Sequence, residues 1–146
     1  MFTDIFQNYA DRKLFLCEDG ISFKYSEVLE LSLRPAIQDV RGRLVFCLCT
    51  NVPGALLGYL GLVTAGAVPV ILNATICPDH LSELFERFRP AYAWLPQSRM
   101  QELFGSVHVL TEWGHSLVAF RQSNIESFHS SLALLLSTSG STGSPK

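Results

Sequence analysis

"RLVFCLCTNVPGALLGYLGLVTAGAVPVIL", Arg43 to Leu72, is the stretch on which the architecture turns. From Leu44 through Pro78 the chain carries no charged residue, a run long enough in principle to cross a bilayer. Its punctuation argues otherwise. Asn51, Pro53 and Gly54 interrupt it after "LVFCLCT", and "AGAVP" interrupts it again at Ala65 to Pro69. The pieces are each too short to span a membrane. They read as strand, helix and strand, apolar on both faces as parallel strands of α/β proteins are. Asn51 is predicted to cap the helix, with Pro53 in its first turn, where a missing N–H costs nothing. That helix should run to about Thr64 and stop near Gly66.

Working outward, the same rhythm continues. "PDHLSELFERFR" predicts an amphipathic helix ended by Pro90, and "AYAWL" a strand. "SRMQELFG" predicts a short helix closed by Gly105, "VHVL" a strand, "HSLVAFRQ" an extra strand with no evident place, and "SLALLL" a final strand. Upstream, "TDIFQNYADR" predicts a helix capped by Thr3, with Ile5, Phe6 and Tyr9 at helical spacing. "LFLCEDGISFKY" predicts a hairpin about Asp19-Gly20. "SEVLELSLRPAIQDV" predicts a helix capped by Ser26 and kinked or split by Pro35. Strands alternating with helices imply βαβ units. The expected fold is therefore α/β, a mostly parallel, doubly wound sheet with flanking helices.

Composition narrows the function. Hydrophobic residues make up 48% and charged residues 16% of 146 residues, enough for one real core and not a disordered chain. The net charge is −2 and the 11 Lys and Arg are scattered, which gives no footprint for nucleic acid. Asp4 stands where a signal peptide would need an apolar run, so the expected location is cytoplasmic. Of the four cysteines, Cys47 and Cys49 would share one face of a strand, and none makes a Cys-x-x-Cys pair or lies at metal-ligand spacing from a His. Buried, reduced thiols are expected, and no metal site. His80, His108, His115 and His129 are scattered, in keeping with surface or packing roles.

The chemistry gathers at "STSGSTGSPK", Ser137 to Lys146. Gly140 and Gly143 permit positive φ, so successive N–H groups can turn inward as an anion-binding nest. Ser137, Thr138, Ser139, Ser141 and Thr142 add hydroxyls, and Lys146 a full positive charge. Such a loop after a buried strand suits a polyphosphate. It is not a Walker loop, because its glycines are three apart and Pro145 precedes the Lys. A flexible Ser/Gly linker is the plain alternative. In open α/β sheets ligands bind beyond the carboxyl ends of the strands, where a loop following "SLALLL" would lie.

"LLSTSGSTGSPK", Leu135 to Lys146, resembles the AMP-binding signature of the adenylate-forming superfamily, which comprises acyl- and aryl-CoA synthetases, adenylation domains of nonribosomal peptide synthetases, and luciferases. Two weaker matches precede it in the expected order. "ISFKYSEVLE", Ile21 to Glu30, is similar to the family's "TYxEL" segment, and "GLVTAGAVPVIL", Gly61 to Leu72, to its "LKAGAxYVPL" segment. The resemblance implies that residues 1–146 are the N-terminal part of the large domain of an ATP-dependent ligase, without the rest of that domain and without the small C-terminal domain. Such an enzyme joins a small carboxylic acid to AMP with release of pyrophosphate. It then passes the acyl group to a thiol, of coenzyme A or of phosphopantetheine on an acyl carrier protein.

By the same resemblance Thr138, Ser139, Gly140, Ser141, Thr142 and Gly143 would wrap the ATP phosphates, with Lys146 and Mg²⁺ adding charge. No residue is implied as catalytic acid, base or nucleophile. Family members are several times longer, and their adenine, ribose and acyl contacts come from later segments. The 146 residues alone are therefore expected to be inactive, and exposed apolar surface to favour self-association. Two other readings stand beside this one: a non-catalytic nucleotide- or partner-binding module of the same fold, and an unrelated α/β domain ending in a linker.

Overall fold

A computed structural model describes residues 2–103, 105–121, 128 and 132–136. The described residues form two sheets. A small antiparallel pair joins β1 (Lys13–Leu16) to β2 (Ser22–Lys24). The main sheet has six strands in the order β6-β7-β5-β3-β4-β8, formed by β3 (Leu44–Cys49), β4 (Val68–Asn73), β5 (Tyr92–Pro96), β6 (Ser106–Glu112), β7 (His115–Phe120) and β8 (Leu135–Leu136). The pairs β5–β3, β3–β4 and β4–β8 are parallel, and β5–β7 and β7–β6 antiparallel. The mostly parallel sheet is as expected. The extra strand "HSLVAFRQ" finds its place as β7, between β5 and β6.

The uncharged run resolves into three elements. Strand β3 leads into helix α4 (Pro53–Thr64), which returns to β4 beside β3 in parallel register, Leu44 facing Val68 and Cys49 facing Asn73. Helix α5 (Pro78–Phe88) then carries the chain across to β5 on the other side of β3. Alternation along β3 separates two cores. Val45 and Cys47 pack with Leu62 of α4, with Ala65 just after it, and with Trp94 and Leu117. Phe46 and Leu48 pack with Leu81 and Leu84 of α5. On the α5 side Phe85 meets both Phe46 and Phe120 edge-on, with ring centroids 4.8 Å apart in each case.

Helix α4 is apolar on nearly every side because it is covered twice. Helices α1 (Phe2–Asn8) and α2 (Tyr25–Leu33) and the β1–β2 hairpin form a layer over it, in which Phe6, Val28 and Leu57 are buried together. Pro35 splits the following segment, so that α3 (Pro35–Gln38) is a separate short helix.

Several expected boundaries shift. Helix α1 begins at Phe2, so Thr3 lies inside it and is not its cap. Lys24, not Ser26, is the cap of α2, and its N–H donates to the Glu27 carboxylate at 2.6 Å. Val52, extended at φ −133°, takes the cap position of α4 in place of Asn51, and Pro53 is its first residue. Helix α5 ends with Arg89 in the left-handed conformation (φ 44°), immediately before Pro90. Residues Gln97–Glu102 form a 3-10 helix. Among the described residues β8 comprises Leu135–Leu136, shorter than the expected "SLALLL". Among the described residues no helix is long and apolar enough to cross a membrane.

Candidate functional site

The strand order reverses beside β3, since its successor β4 lies on one side and β5 on the other. Such a reversal leaves a crevice at the carboxyl end of the sheet. There a cleft of about 730 Å³ opens. Cys49, Thr50 and Asn51 follow β3 into it, and Val52, Pro53, Ala55, Leu56 and Tyr59 of α4 form one wall. Ile71 of β4 contributes to the lining, and Phe15 to Asp19 of the β1–β2 hairpin overhang the opposite side.

The hairpin is shaped for this. Cys17 N–H donates to the Ile21 carbonyl at 2.8 Å, Gly20 turns at φ +85°, and Asp19 accepts from the Ile21 N–H at 3.0 Å. This compact turn presents Glu18 and Asp19 to solvent at the rim of the cleft.

Chemically the cleft is an apolar trough with a polar rim. Among the described residues its lining contains no Lys, Arg or His. Its thiols are poor nucleophiles at neutral pH. Burial pushes Cys49 up, and burial followed by the nearby Asp19 carboxylate pushes Cys17 up. Burial also raises the Tyr59 phenol. Cys47 lies fully buried on the same face as Cys49, as expected, whereas Cys77 is exposed, against the expectation of buried thiols. Among the described residues no group of His, Cys, Asp and Glu could hold a metal ion.

One wall of the cleft is fixed from behind. The Trp94 indole N–H donates to the Gly54 carbonyl at 3.0 Å. A Cβ on Gly58 would strike the Trp94 ring, and one on Gly54 would strike the Trp113 carbonyl and the His115 ring. The two glycines thus let the first turns of α4 settle on β5 and on the β6–β7 turn. His115 is buried and stacks on Trp94 with centroids 5.7 Å apart, the packing role expected of it. His108 is exposed and His80 half-buried.

The loop after β4 is also firmly held. Arg99 reaches from the 3-10 helix to the carbonyls of Ala74 and Ile76 and to the Glu102 carboxylate. Asn73 accepts from both the backbone N–H and the hydroxyl of Thr75 at 2.9 Å.

The expected phosphate-binding residues, Thr138, Ser139, Gly140, Ser141, Thr142, Gly143 and Lys146, lie outside the described residues, as does His129. What the structure does place is the strand before them. Leu135 and Leu136 pair in parallel with Val70 and Ile71, and Ile71 lines the cleft. The strand therefore points toward the same edge of the sheet as the cleft. The cleft itself escaped the sequence reading, because it is assembled from residues 15–19, 49–59 and 71, which no local pattern unites.

No family model matches the chain, and no curated protein does. Solved structures do match. The N-terminal subdomain of Klebsiella oxytoca NpsA is similar with a TM-score of 0.63 and 26% identity, over 99% of this chain and 40% of that one. It fits the N-terminal part of the adenylate-forming superfamily. The same subdomain in complex with anthranilyl-AMSN gives a TM-score of 0.59 at 22% identity. E. coli MenE with bound OSB-AMS gives 0.63 at 22% identity, covering 99% of this chain and 32% of that one. At those identities the second and third likenesses speak to the fold alone. The chain spans well under half the length of the structures it matches.

Proposed function

We propose that this chain is the N-terminal part of an ATP-dependent ligase that activates a small carboxylic acid as its acyl-adenylate. The observation that carries the reading is the parallel pairing of Leu135–Leu136 with β4, which aims the strand preceding "STSGSTGSPK" at the carboxyl edge of the sheet. Thr138, Ser139, Gly140, Ser141, Thr142 and Gly143 would supply N–H and hydroxyl donors to the β- and γ-phosphates of ATP. Lys146 and Mg²⁺ would offset their charge. A carboxylate is a poor acyl donor and AMP a far better leaving group. The work of the loop is therefore to stabilise the pyrophosphate that departs as the carboxylate attacks the α-phosphorus. The acyl group would pass next to a thiol, of coenzyme A or of carrier-protein phosphopantetheine.

The cleft supports this division of labour by what its lining omits. Its described residues include no cation, and Glu18 and Asp19 stand at its rim. A polyphosphate would be repelled there, so its charge must be met by the loop. The test is binding of a fluorescent ATP analogue to the 146-residue chain, beside the variants Lys146→Ala and Gly143→Val. Weaker binding by at least tenfold in both supports the loop. Equal binding by all three overturns it. ATP–pyrophosphate exchange by this chain is expected to be silent with any carboxylic acid.

A further inference from the structure

We propose that His115 is a pH-sensitive latch: neutral, it clamps the first turn of α4, and with it one wall of the cleft, against the β6–β7 hairpin; protonated, it releases that turn. The geometry supplies each part. His115 is 2% exposed, and its ring lies 18° from parallel on the fully buried Trp94. Trp94 in turn holds the Gly54 carbonyl through its indole N–H. The His115 ring and the Trp113 carbonyl face Gly54 so closely that no side chain fits between them. Gly54 sits among Val52, Pro53, Ala55 and Leu56, all of which line the cleft.

The ring tolerates this place better neutral than charged. Nδ1 stands 3.5 Å from the Trp113 carbonyl, and Nε2 is buried with no hydrogen-bond partner among the described residues. A neutral ring leaves one acceptor nitrogen unpaired but brings no charge. A protonated ring makes both nitrogens donors, one of them without an acceptor, and puts a full charge into an apolar packing site. Stacking on the indole face would relieve part of that cost, but not the unpaired N–H.

The charged groups around it are few. The first turn of α4 and the facing residues of β5, Trp94 and Pro96, carry none. On β6 the register sets Glu112 opposite His115, and its carboxylate is engaged by Arg34 at the start of α3. Burial holds His115 below its ordinary value of 6.5, the direction this geometry requires. The contribution of the neutral ring is thus complete above pH of about 6.5. It is lost as pH falls from there toward the depressed folded-state value.

Hydrogen exchange of the 146-residue chain, corrected for intrinsic rates, tests this between pH 7.5 and 5. The opening constant for the amides of Ala55 to Gly58 is expected to rise by up to tenfold per pH unit below about 6.5. The amides of α5 should stay protected, and His115→Phe, which keeps a flat ring on Trp94, should flatten the response. If α4 and α5 lose protection together, or H115F keeps the wild-type response, the latch is overturned. Should H115F not fold, ¹⁵N shifts of the wild-type imidazole decide. Titration below 6.5 in step with α4 exchange supports the latch, and titration at or above 6.5, or out of step, overturns it.

Discussion

At one edge of the main sheet β6 meets β7 along a register running from Ser106 opposite Phe120 to Glu112 opposite His115. At the other, among the described residues, β8 meets β4 through Val70 with Leu135 and Ile71 with Leu136. The first edge is closed by a two-residue turn, Trp113-Gly114, with both φ values positive at 48° and 72°. The second joins segments far apart in sequence, whose closure costs more chain entropy. The difference separates scaffold from site. The β6–β7 edge is paired locally and backed by the buried Trp94 of β5, on the side of the sheet opposite β8. Among the described residues, the edge that leads toward the proposed phosphate loop is held by two residue pairs of β8 with β4. Regions that must accept a ligand are commonly drawn from the less stable part of a fold.

The largest effect should come from the β6–β7 side. Trp94→Ala removes a fully buried side chain that seats Gly58, holds Gly54 and stacks on His115. A loss of about 4 kcal/mol is expected from urea unfolding. A loss below about 1 kcal/mol would mean that this side is not the anchor. On the other side Arg99→Ala frees two carbonyls of the β4–α5 loop, and a loss of about 2 kcal/mol is expected from its charge-assisted bonds. It carries a local signature as well. Arg99 holds the Glu102 carboxyl below its ordinary 4.5, so NMR titration of the variant should show Glu102 rising toward that value. Leu135→Ala, at a half-buried position in β8, should cost about 1 kcal/mol. A cost as large as that of Trp94→Ala would erase the contrast between the edges.

The sequence made some of this legible. The run from Leu44 to Pro78 could be divided correctly because its breaks are chemical: a proline that fits a first helical turn, and a Gly at φ +89° after α4. The β6–β7 pairing was not legible as a hairpin. Trp-Gly is not one of the strong turn pairs, and β6, exposed at Val107 and His108, lacks a clean alternation. The caps of α2 and α4 lie a residue or two from the expected ones: Val52 serves through backbone conformation alone, and Lys24 through its N–H to the Glu27 carboxylate, with no capping side chain of its own to mark it in the sequence. The resemblance of "LLSTSGSTGSPK" to an AMP-binding signature could be read, but the cleft beside the strand before it could not, because tertiary packing alone unites its walls. His115 is of the same kind: a lone histidine in sequence, set by the fold between Trp94 and the first turn of α4.

The smallest expected effect sharpens what holds the β6–β7 edge. The Arg34 guanidinium engages the Glu112 carboxylate, linking the α2–α3 junction to the β6–β7 hairpin at the point where it turns. By position this looks like a clasp. Yet the two side chains are 44% and 26% exposed, so solvent screens their attraction, and ordering the long arginine costs entropy. Arg34→Gln should therefore cost about 0.5 kcal/mol at low ionic strength, with the difference fading as salt shortens the screening length to a few ångströms. A cost above about 2 kcal/mol that survives high salt would show that the edge depends on this charge pair. The smaller, salt-sensitive value would place its stability in the packing of Trp94, Leu117 and α4, which salt does not screen.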